Sequence, residues 1–142
     1  MISPQFFSTL SLNQTITTLM LTNGTLVKQF IPSFCQLILT NQSIVALDIS
    51  DNYLEPSQDL DQAFKQNKSI KILNISENQF NQDIFDALLS SDTVQYLLVD
   101  INRLAFHQHR YFSESKSLIQ TFLIGATTNM KPFHFNPSIL SD

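Results

Sequence analysis

The stretch Ser43–Leu54, "SIVALDISDNYL", returns as "SIKILNISENQF" at Ser69–Phe80 and as "TVQYLLVDINRL" at Thr93–Leu104, and an earlier copy, "TITTLMLTNGTL", occupies Thr15–Leu26. Aligned on their apolar residues, Ile16, Leu19, Leu21 and Leu26 match Ile44, Leu47, Ile49 and Leu54. They match Ile70, Leu73, Ile75 and Phe80, then Val94, Leu97, Val99 and Leu104. Each set has the spacing L-x-x-L-x-L-x-x-N-x-L, with Asn52, Asn78 and Asn102 in the Asn column and Gly24 standing there in the first copy. A degraded fifth copy begins near Leu118, with Leu123 in place but Thr121 in an apolar column. The copies start at 16, 44, 70, 94 and 118. A period in the twenties with this consensus is the signature of a leucine-rich repeat.

The columns have physical reasons. The L-x-L centre alternates with period two, so its apolar residues share one face of a strand and the residues between them share the other. Strands are expected near 18–22, 46–50, 72–76, 96–100 and 120–124. The Asn falls where the chain leaves the strand; an amide side chain both accepts and donates, and can satisfy backbone groups that a turn strips of partners. Asn52, Asn78 and Asn102 are therefore expected to stack as a structural column.

Helical spacing fills the intervals. "PSFCQLILTN" opens on Pro32, a favoured first-turn residue, and carries Phe34, Leu37 and Ile38. "SQDLDQAFKQN" carries Leu60, Ala63 and Phe64, with Ser57 or Asp59 as cap, and "NQDIFDALLSS" carries Ile84, Ala87 and Leu88. Short polar turns lead into the next strand: Asn13-Gln14-Thr15, Asn41-Gln42-Ser43, Asn67-Lys68-Ser69, Ser91-Asp92-Thr93 and Ser115-Lys116-Ser117. Three of these turns are N-x-S/T sequons, as are those at Asn23 and Asn74. Because the repeat demands the turn, their expected role is structural rather than glycan attachment.

The order strand, turn, helix, turn resembles the ribonuclease-inhibitor-like class of leucine-rich repeat proteins over roughly residues 10 to 130. It implies one domain across 1–142: an α/β right-handed solenoid with a parallel sheet on its concave face and helices on its convex face. Such solenoids mostly bind other proteins. A narrower resemblance is carried by "RLAFHQHRYFSESKSLIQTFLIG", which looks like a late repeat of the CARMIL-type actin-capping regulators, and by the N-x-S/T turns, which are similar to those of tropomodulin. The capping-protein-binding segment of the CARMIL family lies outside its repeats and has no match here, so no functional residue is carried over.

Composition narrows the function classes. Eight scattered Lys and Arg and a net charge of -4 give no counterion-replacing surface for nucleic acid. The lone Cys35, among Phe34, Leu37 and Ile38, forms no intrachain disulfide or cysteine cluster and reads as a small buried apolar residue. The N-terminal "MISPQFFSTLSLNQT" lacks a basic start and a continuous apolar run, and no stretch reaches the roughly 20 apolar residues of a membrane span. A cytoplasmic setting is the expectation, with further repeats in the same chain as a possible neighbour. Scarce Gly and the lack of a G-x-S-x-G elbow speak against phosphate loops and hydrolase chemistry. His107 and His109 alternate as two metal ligands on a strand would, but no carboxylate partner accompanies them; they read as loop residues, and no catalytic, metal or cofactor site is expected.

What is left is a surface. Outward strand positions carry Thr18, Ala46, Ile72, Tyr96 and Gln120, then Met20, Asp48, Asn74, Leu98 and Phe122, then Thr22, Ser50, Ser76, Asp100 and Ile124. Ile72, Tyr96, Leu98, Phe122 and Ile124 make an apolar patch, with Asp48, Asn74 and Asp100 setting polarity around it. Two readings stand. The patch binds a protein partner, whose identity the chain does not reveal, or the tail 131–142, with Phe133, Phe135, Ile139 and Leu140, folds over it as a cap. In the second case the chain is a structural spacer, or a segment of a larger cytoskeleton-associated protein.

Overall fold

The computed structural model describes residues 2–91, 93–99 and the strand 121–124. In chain order these form α1 (Pro4–Leu12), β1 (Thr18–Met20), a 3-10 turn (Lys28–Phe30) running into α2 (Ile31–Thr40), β2 (Ala46–Asp48), α3 (Gln58–Gln66), β3 (Ile72–Asn74), α4 (Gln82–Ser90), β4 (Tyr96–Val99) and β5 (Thr121–Ile124). The strands make one parallel sheet in the order β1-β2-β3-β4-β5. Parallel neighbours cannot be joined by a tight turn, so each of the first three connections crosses back through a helix. The helices pack in sequence, α1 on α2, α2 on α3 and α3 on α4.

The core lies between the helices and one face of the sheet. Leu19, Leu47, Leu73 and Leu97 form one register row, and with Leu21, Ile49, Ile75 and Val99 they join Phe7, Phe34, Leu37, Phe64, Ile84 and Leu88 in one buried cluster. The helices start as their sequences direct. Pro occupies the first turn of α1 and of α2, the Ser57 hydroxyl accepts from the Leu60 N–H at 3.2 Å, and Asn81 accepts from the Asp83 N–H at 3.0 Å. Of the two caps considered for α3, Ser57 serves; Asp59 sits in the first turn, where its charge suits the helix dipole.

Two ladders of side chains tie each repeat to the one before it. On leaving the strand, Asn52 reaches back, donating to Leu21 C=O at 2.6 Å and accepting from the Leu26 N–H at 2.9 Å. Asn78 does the same one repeat later, with Ile49 C=O at 2.8 Å and Leu54 N–H at 2.9 Å. On entering the strand, the Asn41 amide donates to Leu10 C=O and the Asn67 amide to Ile38 C=O, while their carbonyl oxygens accept from the backbone of their own turns. The hydroxyl two residues on reaches back as well: Ser43, Ser69 and Thr93 donate to the backbone carbonyls of Asn13, Asn41 and Asn67. Both polar residues of these N-x-S/T turns are thus engaged in stacking, and Asn41 and Asn67 are each only 5% exposed. Asn102 lies outside the described residues.

In the first copy Gly24 stands in that column. Its φ of +73° lies in the left-handed region that glycine tolerates, and a Cβ there would meet nothing within 4 Å, so conformation rather than space favours the glycine. One residue before each column position the chain also turns left-handed, at Asn23, Asp51 and Glu77 (φ 57°, 57° and 54°). Asn and Asp accept that corner readily; Glu does so less well.

The last strand departs from the sequence alignment by one residue. Thr121 pairs with Tyr96, Phe122 with Leu97, Leu123 with Leu98 and Ile124 with Val99. The alignment instead set Gln120 beside Tyr96 and Phe122 beside Leu98. Phe122 and Ile124 therefore take register positions that belong to the core columns in β4. The reason lies in the period of two: a slip of one exchanges the two faces, and it removes the flaw of Thr121 in an apolar column.

Candidate protein-interaction face

Alternation along each strand leaves a second face of the sheet, opposite the helices. Its first row is Thr18, Ala46, Ile72 and Tyr96, and its second is Met20, Asp48, Asn74 and Leu98. The expected docking patch falls here, but it is not open. Ile72 and Ala46 are 0% exposed, Asp48 5% and Leu98 8%, whereas Met20 at the β1 end is 58% exposed. Tyr96 and Asn74 are half-buried. Ala46, Ile72 and Leu98 are buried yet stand outside the core cluster, as their position on the other face requires. Asp100 lies outside the described residues, and the β5 register aligns Phe122 and Ile124 with Leu97 and Val99, not with the patch.

The polar members have local partners. Asp48 Oδ1 accepts from the Ser50 N–H at 2.9 Å, and Asn74 Oδ1 accepts from the Ser76 N–H at 3.0 Å and the Ser76 hydroxyl at 2.6 Å. These are Asx turns, in which a short polar side chain closes the backbone two residues on. A residue of this kind at a strand end serves the turn first, which is why its type alone does not mark a contact.

Sequence reasoning did not single out a cleft of about 370 Å³ on the strand-exit side, lined by Lys28, Ile31, Pro32, Tyr53, Glu55 and Pro56 among others. Tyr53 stands there 65% exposed at φ 55°, and Lys28 and Glu55 pair across the rim at 3.5 Å. The signal available beforehand was an aromatic residue one place after the Asn column, where the other copies carry polar or small residues.

Two ionisable groups near the helix starts are perturbed. Burial, with smaller contributions from Asp59 and Asp61, pushes the Cys35 thiol up to about 11, which makes it a poor nucleophile near neutrality. Asp61, 8% exposed on α3, is pushed from 3.8 up to about 6, first by burial and then by the Asp83 carboxylate. The folded state holds this proton longer than the unfolded chain does. Stability is therefore unaffected well below pH 4, falls as pH rises through the window from about 4 to 6, and stays lowered above it. Asp61→Asn is expected to raise stability at pH 7 by on the order of 1 kcal/mol, after allowance for solvent screening. Near pH 4 it should change little. Equal effects at both pH values in urea titrations would exclude this account.

Among the described residues no three His, Cys, Asp or Glu side chains converge as a metal site requires, and no helix is long and apolar enough to cross a membrane. His107 and His109 lie outside the described residues.

No protein-family model matches the chain, and no curated protein does. Among solved structures the chain is similar to the actin-binding site 2 of leiomodin-1, with a TM-score of 0.66 and 14% identity over 82% of this chain and 70% of that one. At that identity the likeness shows a shared fold. It does not single out the ribonuclease-inhibitor-like class.

Proposed function

We propose that this chain is a non-catalytic protein-interaction module, a right-handed leucine-rich-repeat solenoid that serves the cytoskeleton and takes actin as its partner. The observation that carries this reading is the fold shared with leiomodin-1's actin-binding site 2. The register-matched repeats support it, because stacked strands offer a broad ordered surface. The surface assigned to the partner is the concave face as entered at Met20, Asn74 and Tyr96, since Ile72, Leu98 and Asp48 are buried. Half-buried Tyr96 is its natural anchor, an aromatic side chain with a polar tip.

Co-sedimentation of the full chain with filamentous actin, and polymerisation kinetics with monomeric actin, test this directly. Binding that is lost in Tyr96→Arg, with circular dichroism unchanged, supports both partner and face. Binding that survives Tyr96→Arg removes the face. No effect in either assay removes actin. The burial of Ile72 and Leu98 favours a second reading, a structural spacer within a longer cytoskeletal protein, whose sheet face stays closed and captures nothing.

A further inference from the structure

Tyr53 stands where the repeat gives no reason for it. Its neighbours are fixed: the Asn52 side chain bonds to the Leu21 C=O and the Leu26 N–H, while the Leu54 N–H donates to Asn78 and the Leu54 C=O accepts from the Gln79 N–H. Between these anchors Tyr53 turns left-handed at φ 55°, a conformation that the matching residues Thr25 and Gln79 do not adopt. A bulky side chain there is strained, and such strain clusters at ligand clamps and switch regions. The corner holds the ring 65% exposed at the cleft of about 370 Å³, beside an apolar wall of Ile31, Pro32 and Pro56. We propose that this cleft docks an extended segment of a partner protein that carries an arginine next to an apolar side chain. The guanidinium lies on the Tyr53 ring and against the Glu55 carboxylate, and the apolar neighbour packs on Ile31, Pro32 and Pro56.

Charge selects this occupant. Between Lys28 and Lys65 the chain has no Lys, Arg or His, but it has Asp48, Asp51, Glu55, Asp59 and Asp61. Asp48 and Asp61 are buried, whereas Glu55 and Asp59 are exposed and Asp51 is half-buried. Glu55 lines the cleft, and Asp51 and Asp59 flank its lining residues Asn52 to Ser57 in the chain. Lys28 is the one cation among the lining residues, and its 3.5 Å contact with Glu55 joins side chains that are 90% and 65% exposed. A pair so open to water is weak, so a guanidinium with its two-pronged fork can take Glu55 from it. Helix starts favour anions, but that of α3 is already met by Asp59 in its first turn, and Pro32 brings no N–H to that of α2. An aromatic face beside a carboxylate suits arginine better than an anion or a neutral side chain. The walls are helix starts and a strand exit pinned by the Asn ladder, so docking orders little of this chain.

The test is a titration of the isotope-labelled full chain with acetyl-Leu-Arg-Leu-amide, and with acetyl-Leu-Glu-Leu-amide as control, followed by amide chemical shifts. The arginine peptide is expected to shift the amides of Ile31, Tyr53, Leu54 and Glu55, to bind at least about fivefold tighter than the control, and to weaken as salt rises. Lys28→Gln, which frees Glu55, is expected to tighten binding about two- to threefold, and Glu55→Gln to weaken it at least about threefold. Tyr53→Asn is expected to weaken binding at least about fivefold while the urea midpoint stays or rises, because asparagine accepts the left-handed corner. Shifts that are absent up to about 10 mM peptide, equal for the two peptides, or placed away from the cleft overturn the proposal, and so does undiminished binding by Tyr53→Asn. If Tyr53→Asn lowers the midpoint, Lys28→Gln decides, since its side chain is exposed: tighter binding supports the site, and unchanged binding overturns it. These readings need no actin. Peptide binding by a chain that captures no actin keeps the cleft and removes the actin reading, and actin capture without peptide shifts does the reverse.

Discussion

Phe34→Ala is expected to lower stability by about 3–5 kcal/mol, the range for emptying a buried aromatic site. Phe34 is 0% exposed on α2, and its ring meets Phe7 of α1 edge to face, with centroids 6.1 Å apart and an interplanar angle of 76°. Phe7 in turn lies 5.9 Å from Phe30, so three rings from α1, the 3-10 turn and α2 interlock. Truncation removes both the apolar burial and the ring contact, the latter worth about 0.5–1.5 kcal/mol in addition. α1 buries only Phe7 and Leu10, so losing Phe34 should also detach that helix first. Urea titration read by circular dichroism, with hydrogen exchange on α1, checks both parts. Phe34→Leu keeps most of the volume and should cost less than half as much. A loss below about 1 kcal/mol for Phe34→Ala would mean that this packing is not what holds α1 to the repeats.

Asn52→Ala is expected to cost about 3 kcal/mol, although it removes no apolar surface of consequence. It strands the Leu26 N–H and leaves Leu21 C=O without its amide donor, while Ile49 C=O keeps the Asn78 amide, and each orphaned buried group costs about 1–3 kcal/mol. Asn13→Ala is the matched control. Asn13 is half-buried, and among the described residues its side chain serves only its own turn, accepting from the Thr15 and Ile16 N–H groups at 2.9 and 2.7 Å. Its loss should cost about 1 kcal/mol. Asn52→Asp separates donor from acceptor: it keeps an oxygen for Leu26, loses the donor to Leu21, and buries a charge, so it should be no milder than Ala. Similar free energies for Asn52→Ala and Asn13→Ala would show that the bonds between repeats contribute no more than a local turn does.

Much of the architecture was legible because its determinants are local and periodic. Leu47 and Ile49, or Leu73 and Ile75, declare a strand face by alternation, and Leu60, Ala63 and Phe64 declare a helix face by their spacing. α1 was implied only by the Asn13 turn that follows it, since "PQFFSTLSL" carries neither a side-chain cap nor charge in its first turn. The candidate face was legible as a set of rows but not as a state. Whether Ile72 is open depends on what lies over it, and its type and spacing are the same either way.

The sequence by itself determined the repeat: its period, which residues of β1 to β4 point to the core, where helices fall between strands, and that Asn13, Asn41 and Asn67 belong to turns. These follow from contacts within one repeat, which the pattern of a single copy encodes. Tertiary structure alone decided the direction in which the Asn ladders reach, because donor and acceptor belong to different repeats. It decided that β5 pairs one residue out of step, since register is a property of two strands together. It decided that Asp61 holds its proton to about pH 6, because burial and Asp83 on the next helix act across space. It also decided that Ala46, Asp48, Ile72 and Leu98 are shielded while Met20 is not, because exposure depends on a residue's surroundings and not on its place in the repeat.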